Sequence, residues 1–87
     1  MDQAELSPGA KALADALKNG GHDITNEAKR FYTFANGDVF TIDNPVALYI
    51  VNGSHRVVDA SGVTHRPERG YVGISWEPKA GAPAFDF

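Results

Sequence analysis

The stretch Phe31-Tyr32-Thr33-Phe34-Ala35-Asn36-Gly37-Asp38-Val39-Phe40-Thr41-Ile42 decides the fold class. Aromatic and β-branched residues crowd both sides of Asn36-Gly37, and such side chains suit a pleated, half-buried surface. Asn-Gly is the preferred pair for a two-residue type I′ turn, because both central residues then need positive φ. An antiparallel hairpin is therefore predicted. With a two-residue turn, Phe34 opposes Val39 and Phe31 opposes Ile42, so apolar side chains stand on both faces. One face can lie under a helix, and the other calls for a second cover.

Downstream, Asp43-Asn44-Pro45 ends the strand, since proline cannot donate to a ladder. Residues 46–51 are almost continuously apolar and read as a central strand. Asn52-Gly53-Ser54 turns the chain into a strand over 55–59. Asp59-Ala60-Ser61-Gly62 fits a type I turn, and 63–65 forms a short return. Residues 66–70 read as an exposed loop. The last strand runs over 71–77, with Val72, Ile74 and Trp76 on its core face by alternation.

Upstream, the signals are helical. Ser7-Pro8 opens a helix over about 8–19, with the serine hydroxyl free to cap the first turn and proline losing no hydrogen bond there. Leu6, Ala10, Leu13, Ala14 and Leu17 make one apolar stripe, and Gly20-Gly21 stops the helix. Residues 23–30 fit either a short second helix capped by Thr25 or the approach to the first strand. The expected fold is α+β: an N-terminal helix packed on an antiparallel meander of five or six short strands spanning about 31–77, with a tail over 78–87.

Composition bounds the function. With 87 residues, the expectation is a single domain over 1–87, since two cores of that total size would each bury too little surface. No cysteine is present, which excludes disulfide frameworks and thiolate metal sites. The first twenty residues hold no basic start followed by an apolar run, and no segment approaches the roughly twenty apolar residues of a membrane helix. A cytoplasmic protein without membrane association is expected. His22, His55 and His65 lack metal-ligand spacing and no nucleophile motif occurs, so neither a cofactor nor catalysis is expected.

Two groups of residues are candidates for binding. His55, Arg56, His65, Arg66 and Arg69 sit on a hairpin and loop where they could converge at one end of the sheet. Guanidinium forks and protonatable imidazoles suit phosphate or carboxylate there. Trp76, Phe85 and Phe87 form an aromatic surplus near the C-terminus, suited either to covering the second hairpin face or to anchoring a partner. The sequence thus predicts a small non-catalytic module that binds another protein, a second copy of itself included, through an apolar and aromatic surface. The alternative is nucleic-acid or phosphate binding through the Arg/His group. A net charge of −3 argues against that alternative.

Overall fold

The protein is described by a computed structural model over residues 7–80. Helix α1 (Pro8–Lys18) begins where the sequence predicts: the Ser7 hydroxyl accepts from the Ala10 amide at 3.1 Å, and proline occupies the first turn. It ends at Asn19, after which Gly20 adopts φ +80° and the Gly21 amide returns to the Ala16 carbonyl at 2.8 Å. Among the described residues seven strands follow: β1 (His22–Asp23), β2 (Glu27–Phe34), β3 (Val39–Asp43), β4 (Pro45–Val51), β5 (Ser54–Asp59), β6 (Thr64–His65) and β7 (Tyr71–Pro78). The class is α+β, with the helix first and every strand pairing antiparallel.

The open question at 23–30 resolves as strand. The Asp23 carboxylate accepts from both the backbone amide and the hydroxyl of Thr25, and the Glu27 amide closes a turn onto the Ile24 carbonyl. Ile24 is wholly buried and pins this corner, so β2 starts four residues earlier than predicted.

The strands do not form one meander. They split into a four-stranded sheet of order β1-β4-β5-β6 and a three-stranded sheet of order β3-β2-β7. The two sheets pack on Ile24, Tyr32, Ile42, Leu48 and Val57, with Phe34, Tyr71 and Ile74 at the margin. On the far side of the first sheet, Ala12, Leu13 and Ala16 of α1 cover Val46, Ala47 and Val58. The first half of β4, residues 45–48, is therefore enclosed on both faces, while Ile50 and Val51 at its end are exposed. A single meander would leave one apolar face of that run bare, whereas stacking two short sheets encloses it.

The hairpin register differs from the predicted one by one residue. The Gly37 amide bonds the Phe34 carbonyl and the Phe34 amide bonds the Asp38 carbonyl, each at 2.9 Å. Gly37 takes φ +93° while Asn36 does not take positive φ, which is a three-residue loop with glycine at the left-handed position. Phe31 consequently faces Thr41, and Arg30 faces Ile42. The outer face of this sheet carries Lys29, Thr33, Thr41, Asp43, Ser75 and Glu77 around a half-buried Phe31 and an exposed Val39. The outer hairpin face is therefore mostly polar rather than apolar, with Phe31 and Val39 as its apolar members. The type I′ turn occurs instead at Asn52 (φ 51°) and Gly53 (φ 76°), which join β4 to β5.

β7 also departs from simple alternation. Thr33 pairs with Gly73 but Phe34 with Tyr71, so Val72 is an extra, bulged residue. Tyr71 turns inward beside Ile74, and Val72, predicted as core, stands 69% exposed.

Candidate functional site

The Arg/His group does not converge. β5 sends alternate side chains to opposite faces of its sheet, so His55 and Val57 face the second sheet while Arg56 and Val58 face the helix side. The Arg56 guanidinium donates to the Ser54 and His55 carbonyls, and that of Arg69 donates to the Asn52 carbonyl. His65 Nε2 lies 2.7 Å from Asp59 Oδ2, while Asp59 Oδ1 accepts from the Ser61 and Val63 amides. Burial pushes the Asp59 carboxyl up, but the bonds from His65, Val63 and Ser61 together hold it below its ordinary value. This pair fastens the β5–β6 turn. Arg66 lies exposed in the loop after β6.

The aromatic candidates separate too. Trp76 is half-buried, with the Arg30 guanidinium 5.7 Å from its ring centroid, so it is packing for β2. Phe85 and Phe87 lie outside the described residues.

A polar network in the interior escapes any reading by composition. Arg30 and Glu27 are both fully buried, and Arg30 Nη1 donates to Glu27 Oε2 at 2.8 Å. Arg30 Nε donates to the Tyr32 hydroxyl at 3.1 Å, and that hydroxyl lies 2.8 Å from His55 Nδ1. A guanidinium only donates, so the Tyr32 hydrogen is left for His55, whose Nδ1 must then be unprotonated. Burial first, and then Arg30, hold the His55 imidazole below its ordinary pKa, in agreement with a neutral ring. Burial raises the Tyr32 phenol and the Glu27 carboxyl, the latter against the pull of Arg30. Around this chain the Tyr32 and Tyr71 rings meet edge-on at 5.0 Å, and Tyr71 lies 6.5 Å from Phe34. The network links β2, β5 and β7, and none of Glu27, Arg30, Tyr32 and His55 lines either depression described below. It is structural, and its only sequence signal is a Glu-x-x-Arg-x-Tyr spacing at the entry to a strand.

Two depressions lie among the described residues. The smaller, of 440 Å³, lies between α1 and the β4–β5 hairpin, with Ala12, Ala16, Tyr49, Ile50 and Val51 among its lining. The larger, of 790 Å³, lies between the end of the β2–β3 hairpin and the loop after β6. Phe34, Phe40 and Pro67 give it an apolar floor, Val39 borders it from the outer face of β3, and Asp38, Glu68 and Arg66 give it a charged rim. Val39 is 53% exposed and Phe40 37% exposed, although Phe40 lies opposite the fully buried Tyr32 and beside the His65 ring. The sequence leaves one apolar face of this hairpin in need of a cover but does not single out Val39 and Phe40, because which residues stay open depends on register and strand order. The exposure follows from the edge position of β3, which has a partner strand on one side only.

Among the described residues no three histidine or carboxylate side chains come together in a way that could hold a metal ion. None of their helices is long and apolar enough to cross a membrane. No protein-family model matches the chain, and no curated protein or solved structure is similar to it.

Proposed function

We propose that the protein is a non-catalytic module that binds another protein through the depression beside Phe40. The carrying observation is the exposure of Phe40 over a depression whose apolar floor Phe34 and Pro67 continue, with Val39 exposed on the other face of the same edge strand. Large side chains held open beside a concavity, with a polar rim, have the composition of a recognition surface. The histidines do not supply a competing chemistry: His55 is held by Tyr32 and His65 by Asp59.

Nucleic-acid binding draws no support from the geometry. Arg56 and Arg69 are engaged by backbone carbonyls, and Arg66 shares its rim with Glu68 and Asp38. The test is co-purification with the wild-type chain and with a Val39→Asp/Phe40→Ser double variant, at low and at high salt. A protein retained by the wild type at both salt concentrations and lost by the double variant is the expected result. Retention limited to nucleic acid, weakening steeply with salt and abolished by Arg56→Ala/Arg66→Ala/Arg69→Ala, overturns the reading.

A further inference from the structure

The occupant of the depression can be specified further, and the specification rests on the binding role just proposed. β3 is the outer strand of the order β3-β2-β7. Its backbone bonds run to β2, and among the described residues no other element takes up those of Val39–Asp43. Alternate residues of an edge strand direct both amide and carbonyl away from the sheet, which offers a row of unmade hydrogen bonds. Val39–Asp43 is short and ends in the charged Asp43, but it has no proline, no lysine and no bulge, whereas the other edge of the same sheet, β7, is bulged at Val72.

Phe40 pairs with Tyr32 and Phe34 packs on Tyr71, so both stand on the face that looks toward the other sheet. Both line the depression, and Arg66, Pro67 and Glu68 form its opposite wall. A strand added beside β3 would extend the sheet across the depression's mouth. Every second side chain of that strand would drop toward Phe34, Phe40 and Pro67, and the intervening ones would face water beside Val39, Thr41 and Asp43. The rim carries the carboxylates of Asp38 and Glu68 against the single cation of Arg66, and the whole chain is at −3.

We propose that the free edge of β3 captures an extended, basic segment of another protein as an added strand, apolar at the alternate positions that enter the depression. Main-chain hydrogen bonds hold the segment and the Phe40 floor selects its apolar side chains. The acidic rim selects its charge.

The test uses three seven-residue peptides, blocked at both ends, added to the isotope-labelled full chain: alternating valine and lysine, the same peptide N-methylated at alternate residues, and alternating valine and glutamate. The valine–lysine peptide is expected to shift the amides of residues 38–43 and 66–68 and to slow hydrogen exchange within 39–43. N-methylation should weaken binding at least tenfold, and exchange of lysine for glutamate should weaken it several-fold. Equal binding of the N-methylated peptide, or shifts confined to the groove beside α1, overturns strand addition. So does concentration-dependent protection of 39–43 without peptide, which would identify a second copy as the occupant. If the Val39→Asp/Phe40→Ser variant still loses its protein partner when no peptide binds, the binding role stands and only the strand-addition mechanism falls.

Discussion

At the scale of single residues, the buried Arg30–Glu27 pair is the feature with the largest energetic leverage. Removing one partner leaves the other charge without compensation in an interior that cannot solvate it, a loss of about 3–5 kcal/mol. A chain of this length is stable by only about 5–10 kcal/mol, so Glu27→Ala should leave the fold marginal, and urea unfolding would show it as a large fall in midpoint. Glu27→Leu with Arg30→Met should recover most of that loss, because an apolar pair of similar volume carries no desolvation penalty. His55 gives a separate signature. Its folded pKa lies below the unfolded value of 6.5, so the unfolded chain binds the proton more readily. The stability it contributes is complete above 6.5 and is lost as pH falls through its folded pKa, since a protonated Nδ1 would leave the Tyr32 hydrogen without an acceptor. Glu27 acts in the opposite sense, as its raised pKa favours the folded state at low pH. Asp59 adds a loss only below 3.8. Unfolding midpoints measured between about pH 7.5 and 5 should fall for the wild type and fall less for His55→Gln, and identical slopes would remove His55 from the account.

At the scale of elements, close approach decides more than propensity does. Gly9 sits in the first turn of α1, where an added Cβ would lie 2.5 Å from the Ala60 carbonyl oxygen. Glycine to alanine ordinarily stabilises a helix by up to about 1 kcal/mol. Here the neighbour is backbone, so Gly9→Ala should destabilise by about 1–3 kcal/mol through overpacking, a loss of melting temperature that differential scanning calorimetry would record. The helix itself was legible in the sequence, as Ser7-Pro8 and Gly20-Gly21 carry its start and stop. The hairpin was legible in position but not in register. Asn36-Gly37 and Asn52-Gly53 are the same dipeptide, yet only the second takes the type I′ turn. At the first, Asn36 and Asp38 bond to each other through side chain and backbone, and the loop takes one more residue. A dipeptide rule does not contain that local exchange, and a one-residue difference moves every side chain to the other face.

At the scale of the whole molecule, the division into two sheets was not legible, because adjacency along the chain favours pairing each strand with the next. β7 instead joins β2, through contacts such as Phe34 with Tyr71 and Glu27 with Pro78. The interior charge network was hidden for a related reason: Glu27 and Arg30 look like solvent-facing residues until the second sheet closes over them. The proposed binding surface is the remainder of that arrangement, since β3 is left as an edge once β2 takes β7 on its other side. The same connectivity sets an order on self-assembly. The β4–β5 ribbon closes through its own tight turn and can form early. Completing the β3-β2-β7 layer requires β7, which four intervening strands separate from β2, and such distant closures are the slow ones. Until that last strand arrives, β2 stays open on both its flank and its ionic interior, so the interval before completion is when this polypeptide is most exposed to mispairing and to proteases.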